Sequence, residues 1–279
     1  MGYLFAVTLL WAFSFSLIGV YLAGHVDAWF SVLIRVALAT LVFLPFIKRL
    51  PPATAIRLML IGAVQLGVMY SFYYHSFLFL SVPEVLLFTV MTPLYITLLN
   101  DTLNKQFNPQ FFIVALIAVL GAVAIRYENL DNDFWLGLLL VQGANLSFAT
   151  GQVTYKRLMQ GKQLDDKAAF SWFFIGALIV AGLCYALFGN SSKLPSTNTQ
   201  WGILIYLGIV ASGLGYFLWN KGATLVNVGA LAVMNNLLIP AGIIVNIVIW
   251  NRDADIFRLS IGAAIMLLAL VVNQIMTKK

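Results

Sequence analysis

The chain has 279 residues, of which 62% are hydrophobic and 9% charged, with a formal net charge of +6 and a mean hydropathy of +0.94. A soluble domain carries about 25% charged residues because its surface faces water, so this composition excludes a soluble catalytic domain of any size and makes lipid the expected solvent. The positive balance does not mark a nucleic-acid partner, because Lys and Arg sit in short gaps between apolar stretches rather than in a basic run interleaved with aromatics.

Ten apolar stretches approach the roughly 20 residues that span a bilayer as a helix. They cover 2–22, 29–47, 57–80, 83–99, 109–126, 134–155, 168–188, 201–220, 228–249 and 257–276. The first has no basic region before it and no small-residue cleavage site after it, so it is expected to stay as a helix. The gaps carry breakers such as Pro51-Pro52, Ser81-Val82-Pro83, Asn108-Pro109 and Gly189-Asn190, and the seventh gap, with Pro195, reads as a surface loop. Cys184 is alone in an apolar run, which rules out a disulfide framework or a paired-cysteine metal site.

Charge bias orients the bundle. With the N-terminus inside, eleven Lys and Arg fall in inner gaps (Lys48, Arg57, Lys156, Arg157 and Lys221 among them) and four in outer gaps, with Arg35 left within a span. Ten spans with both termini cytoplasmic satisfy the positive-inside rule.

The halves echo each other. Tyr70-Ser71-Phe72, Val82-Pro83-Glu84 and Thr92-Pro93 are followed about 147 residues later by Phe217-Leu218-Trp219, Gly229-Ala230-Leu231 and Ile239-Pro240, and Trp11-Ala12-Phe13-Ser14 resembles Phe148-Ala149-Thr150-Gly151. An odd number of spans per half forces the second copy to be inverted. The expected fold is an all-α membrane protein of ten transmembrane helices, built as two inverted five-helix repeats (1–127 and 133–277) around a central cavity.

Five-plus-five helices with these prolines resemble the drug/metabolite transporter superfamily in its EamA-type branch. Leu10-Trp11-Ala12-Phe13-Ser14, Gln65-Leu66-Gly67-Val68-Met69-Tyr70, Tyr155-Lys156-Arg157-Leu158-Met159 and Ala211-Ser212-Gly213-Leu214-Gly215-Tyr216-Phe217 are similar to members filed with the carboxylate/amino acid/amine transporters. The resemblance implies a secondary transporter of a bacterial cytoplasmic membrane that imports a small molecule, biotin, by alternating access. Export of amino acids or related metabolites by the same fold is the alternative. It implies no cofactor, and a monomer with membrane lipid as its surroundings is expected.

Several polar residues lie at membrane depth, where each needs a reason. In the sixth stretch Gly143, Ser147 and Gly151 form a small-residue stripe for close helix approach, and Gln142, Asn145, Gln152 and Lys156 occupy the opposite face. That face either lines a polar cavity or bonds to neighbouring helices. In the ninth stretch Asn235 and Asn236 precede Pro240, and Pro93 is its counterpart beside Thr92 in the fourth; proline frees a carbonyl that a side chain or substrate must satisfy. An Asn pair there suits a ureido group, because a carboxamide both donates and accepts.

Trp11, Ser14 and Tyr21 share a face of the first stretch, and Tyr70 and Trp219 extend the candidate aromatic lining, whereas Tyr73 and Tyr74 read as interfacial belt residues. Arg35 either pairs with Glu84 as a lock or outer gate, or receives a substrate carboxylate. His75 is either a proton-exchanging group or a bonded structural residue, and Lys156 and Lys221 are expected to snorkel to headgroups. No catalytic motif, Walker loop or metal-binding cluster is present in the sequence.

Overall fold

The computed structural model of the protein describes residues 2–105, 132–160, 164–226, 228–250 and 256–277, together with Ile117, Leu120, Gly121 and Ala124. Seven helices among them are long and apolar enough to cross a membrane: α1 (Gly2–Leu22), α2 (Ala28–Phe46), α3 (Pro52–Ser76), α4 (Val82–Leu103), α5 (Asn132–Met159), α6 (Asp166–Phe188) and α7 (Asn198–Thr224). They are followed by α8 (Val228–Trp250) and α9 (Ile256–Thr277). The expected stretch 109–126 lies almost wholly outside the described residues, so α5 corresponds to the sixth expected stretch.

Local chemistry sets where these helices begin and bend. The Phe30 N–H donates to Asp27 Oδ1 at 2.7 Å and opens α2; reciprocal capping boxes at Ser81/Glu84 and Thr197/Gln200 open α4 and α7. Pro93 lacks the N–H that would bond the preceding turn, and α4 tightens there into a 3-10 segment over Thr89–Met91. Three helices widen into π turns, over Ile18–Leu22, Ala63–Val68 and Leu207–Leu214. Such turns recur at functional sites because they re-aim the side chains that follow.

The helices pack in a defined pattern. α2 lies on α6 and α7, α3 on α5 and α6, α1 on α7 and α8, and α4 on α5 and α8. Small residues allow the closest crossings. A Cβ at Gly62 of α3 would collide with the Phe173 carbonyl of α6, and one at Gly176 would collide with the Met59 carbonyl of α3. The stripe on α5 serves the expected purpose, with Gly143 against the Phe72 ring and Gly151 against Gln65. Outward positions such as Leu41, Leu139, Leu187 and Val248 are exposed and apolar, as a lipid-facing surface requires.

At one end of the bundle Lys48 bonds Asp165, Lys221 pairs with Asp166 at 3.2 Å, and the Trp172 indole N–H donates to the Lys48 carbonyl. The hydrogen bond from Lys48 holds the Asp165 carboxyl below its ordinary range. Lys221 therefore reaches an aspartate as well as the face of Phe217, instead of simply extending to headgroups.

The α3–α6 crossing is testable. Gly176→Ala is expected to destabilise the protein by about 1–3 kcal/mol, seen as a lower thermal midpoint in detergent. Gly182→Ala, where an added Cβ meets nothing within 4 Å, is expected to leave the midpoint unchanged or slightly raised. Equal midpoints would contradict the backbone contact.

Candidate functional site

A cavity sits among α1, α2, α3, α4, α5, α7 and α8, lined by Trp11, Ser14, Arg35, Tyr70, Thr92, Asn145, Trp219 and Asn235, with Phe15, Met69, Tyr73, Thr89, Ala144, Phe148, Tyr216 and Leu238. Its volume is about 90 Å³, room for roughly six waters. A solute with a dozen or more heavy atoms enters only if the walls part.

Arg35 is the strongest electrostatic feature of the wall and is 2% exposed. Its Nε donates to Ser212 Oγ at 3.1 Å, Nη1 to the Tyr74 hydroxyl at 3.0 Å and Nη2 to the Tyr70 hydroxyl at 2.8 Å. The Tyr70 and Ser212 oxygens are themselves 2.8 Å apart, and the guanidinium carbon stands 4.3 Å from the Tyr70 ring centroid. These contacts fix the group's orientation and spread its charge, yet every hydrogen-bond partner is a neutral hydroxyl. Among the described residues no carboxylate reaches Arg35.

The expected Arg35–Glu84 pair is therefore not formed. Glu84 is the third residue of α4, where its Oε2 accepts from the Ser81 N–H and from the Ser81 hydroxyl, both at 2.7 Å. Tyr73 and Tyr74 also depart from the belt expectation: both are buried, Tyr73 lines the cavity, and Tyr74 holds Arg35.

Asn145 answers the break in α4. Its Nδ2 donates to the Phe88 carbonyl, just before the 3-10 segment, at 2.9 Å, and to Gln142 Oε1 at 3.1 Å. The Thr92 hydroxyl donates to Asn145 Oδ1 at 3.2 Å. Both amide hydrogens are thus engaged, and what Asn145 still offers the cavity is an acceptor lone pair on Oδ1. Both readings of this residue hold at once, since it lines the cavity and bonds a neighbouring helix.

Across the cavity four rings form a box. Trp11 lies 4.9 Å from both Tyr216 and Trp219 and 6.0 Å from Phe148. The Trp11 indole N–H is occupied by the Ala211 carbonyl at 2.8 Å, within the π turn of α7. The Trp219 indole N–H is buried with no partner. A buried unbonded donor costs about 1–3 kcal/mol, and this one belongs to a side chain on the cavity wall.

Of the sequence-derived candidates, Trp11, Ser14, Tyr70, Thr92, Asn145, Trp219 and Asn235 come together here, with Arg35. Gln142 and Asn236 do not line the cavity. Gln142 accepts from Asn145 and from the Tyr95 hydroxyl, which makes it a positioning residue. Asn236 is displaced from the wall, and its Oδ1 is buried without a bond. His75 stays outside, its Nδ1–H donating to the Ser71 carbonyl at 2.7 Å and its ring 4.3 Å from Trp29; this is the structural alternative. Tyr21 accepts from the Trp250 indole at 3.3 Å.

Phe148 and Tyr216 were missed as lining residues, although Phe148 opens the segment that resembles the one opened by Trp11, and Tyr216 immediately precedes the Phe217–Trp219 segment.

If Asn145 bridges the break in α4, removing it exposes the cost. Asn145→Ala removes the side-chain bonds to the Phe88 carbonyl and to Gln142 and takes the acceptor from the buried Thr92 hydroxyl, and is expected to lose about 1–3 kcal/mol of stability, read as a lower thermal midpoint in detergent. Ser14→Ala, whose hydroxyl bonds only the Leu10 carbonyl in its own helix, is expected to change the midpoint little. An unchanged midpoint for Asn145→Ala would remove the bridging role.

The family model of the EamA-like transporter family matches residues 1–127 and 135–274. Proteins named Biotin transporter from Salmonella typhimurium and Escherichia coli K12 are 52% and 50% identical to this chain over 277 residues, covering 98% of it and 93% of each relative. A Pseudomonas aeruginosa protein named Probable biotin transporter is 50% identical over 279 residues, with 99% and 98% covered. A solved crystal structure matches 97% of this chain and 95% of its own length with a TM-score of 0.69 at 18% identity, a likeness of fold alone. The chain belongs to the EamA-like transporter family and is a multi-pass membrane transporter, not an enzyme.

Proposed function

We propose that the protein imports biotin across the bacterial cytoplasmic membrane, by alternating access between two inverted halves. The observation that carries this reading is Arg35: a buried guanidinium on the cavity wall, held by three hydroxyls and met by no carboxylate among the described residues. A charge at this depth costs several kcal/mol unless answered. With three N–H groups bonded, two of the five on a guanidinium remain for a planar carboxylate.

Biotin carries such a carboxylate on an aliphatic chain, together with an apolar bicycle and a ureido group. The box of Trp11, Phe148, Tyr216 and Trp219 suits the bicycle. The ureido N–H groups need acceptors, for which the free lone pair of Asn145 Oδ1 serves, and the ureido oxygen needs a donor such as the unpartnered Trp219 N–H. The names of the 50–52% identical relatives favour the same substrate.

The pairwise packing supports two related halves. Exchanging α1 with α5, α2 with α6, α3 with α7 and α4 with α8 converts each main contact into another that is present: α1–α8 into α4–α5, α2–α7 into α3–α6, and α3–α5 into α1–α7. The π turns in α3 and α7 correspond under this exchange, and the two family matches, 1–127 and 135–274, follow the same division. With the fifth expected stretch this makes ten spans. The end carrying Lys48, Arg57, Lys156 and Lys221 is then cytoplasmic. The narrow central cavity fits a state in which substrate entry requires one half to rock against the other.

The charge pairing can be tested with neutral analogues. In cells lacking other biotin uptake, wild-type protein is expected to take up labelled biotin and to prefer it to biotin methyl ester by about 10–100-fold in apparent affinity. Arg35→Gln is expected to erase that preference and Arg35→Lys to retain part of it. A wild type that takes up acid and ester equally, or only expels preloaded biotin, would contradict the reading.

A further inference from the structure

At the lysine-rich end a second cavity of about 470 Å³ opens between α4, α5 and the start of α8, lined by Asn100, Asn104, Gln152, Lys156, Arg157 and Leu231 with their neighbours. Gln152 is 0% exposed, and neither its Nε2 nor its Oε1 has a hydrogen-bond partner. A buried amide with both ends unpaired is costly, and this one stands on a cavity wall. Arg157 is fixed by Asn100 and Asn104 through bonds to carbonyl oxygens only. Lys156 donates to the Val226 carbonyl, which ties α5 to the connection between α7 and α8. One ammonium hydrogen is used there and two remain. Neither cation is paired with a carboxylate among the described residues. Snorkelling does not describe this Lys156, whose ammonium is turned onto the protein backbone.

We propose that this vestibule is a second subsite for the transported anion, where Lys156 and Gln152 take the carboxylate after it leaves Arg35. The assignment rests on the import reading above. The Lys156–Val226 bond holds the ammonium at the edge of the vestibule nearest the α7–α8 connection. When the halves part, the released ammonium and the idle Gln152 amide donate to the carboxylate, with Arg157 adding fixed positive charge. A cation placed beyond the aromatic box gives the substrate a favourable position on the exit side, so that departure from Arg35 does not strand a carboxylate in an apolar channel.

The test compares the two faces of the full-length protein. Half-saturation for labelled biotin is measured in right-side-out and in inverted membrane vesicles. For Lys156→Gln and for Gln152→Leu the ratio of the inner to the outer constant is expected to rise about tenfold, and Lys156→Arg is expected to restore it. An unchanged ratio in either folded variant would overturn the subsite, as would equal shifts on both faces, which mark a merely structural role. Wild-type vesicles that exchange no biotin would overturn the functional reading, and this assignment with it.

Discussion

A guanidinium surrounded by helices in a membrane is tolerated only when its N–H groups are bonded and its charge is answered. The rest of the site depends on how Arg35 meets this condition. Ser212 from α7 and Tyr70 and Tyr74 from α3 hold three of its N–H groups, and the Tyr70 ring lies against its face. Orientation is thereby fixed without neutralisation. An internal carboxylate would have made a more self-sufficient lock, but one indifferent to an arriving anion. The hydroxyl cage leaves the electrostatic demand directed at the cavity.

The helices deliver these groups through irregularities rather than regular turns. The π turns in α3 and α7 lie beside the residues that hold Arg35, and the Ala211 carbonyl within the second is the acceptor for the Trp11 indole. Pro93 breaks the ladder of α4, and the Asn145 amide takes the Phe88 carbonyl next to that break. Backbone-to-backbone contacts at Gly62 and Gly176 bring α3 and α6 close enough to stiffen the frame around them. Close packing outside and unpaired polar atoms inside form a division of labour suited to a carrier.

Much of this was legible in the sequence because hydrocarbon penalises every unexplained polar group. That argument identified Arg35 and Asn145 directly, and the aromatic and hydroxyl patterns identified Trp11, Ser14, Tyr70, Thr92 and Trp219. It failed where position along a span stood in for tertiary contact: nearness to a span end marked Tyr73 and Tyr74 as belt residues, whereas both are buried and Tyr74 bonds Arg35. It also failed where a short-range bond was available, since the Glu84 carboxylate accepts from Ser81 three residues before it rather than from Arg35. Gln142 and Asn236 were read as lining because a face of a helix does not reveal which member of an amide pair points inward. Biotin itself was never written in spacing or periodicity; it came from likeness to relatives, and the cavity chemistry is compatible with it.

The most direct measurement is an experimental structure of the protein with biotin bound. The account predicts the carboxylate oxygens within hydrogen-bond distance, about 2.7–2.9 Å, of the Arg35 guanidinium, with the bicycle among Trp11, Phe148, Tyr216 and Trp219. A ligand whose carboxylate lies away from Arg35, or an Arg35 paired with one of the protein's own acids in that complex, would contradict it.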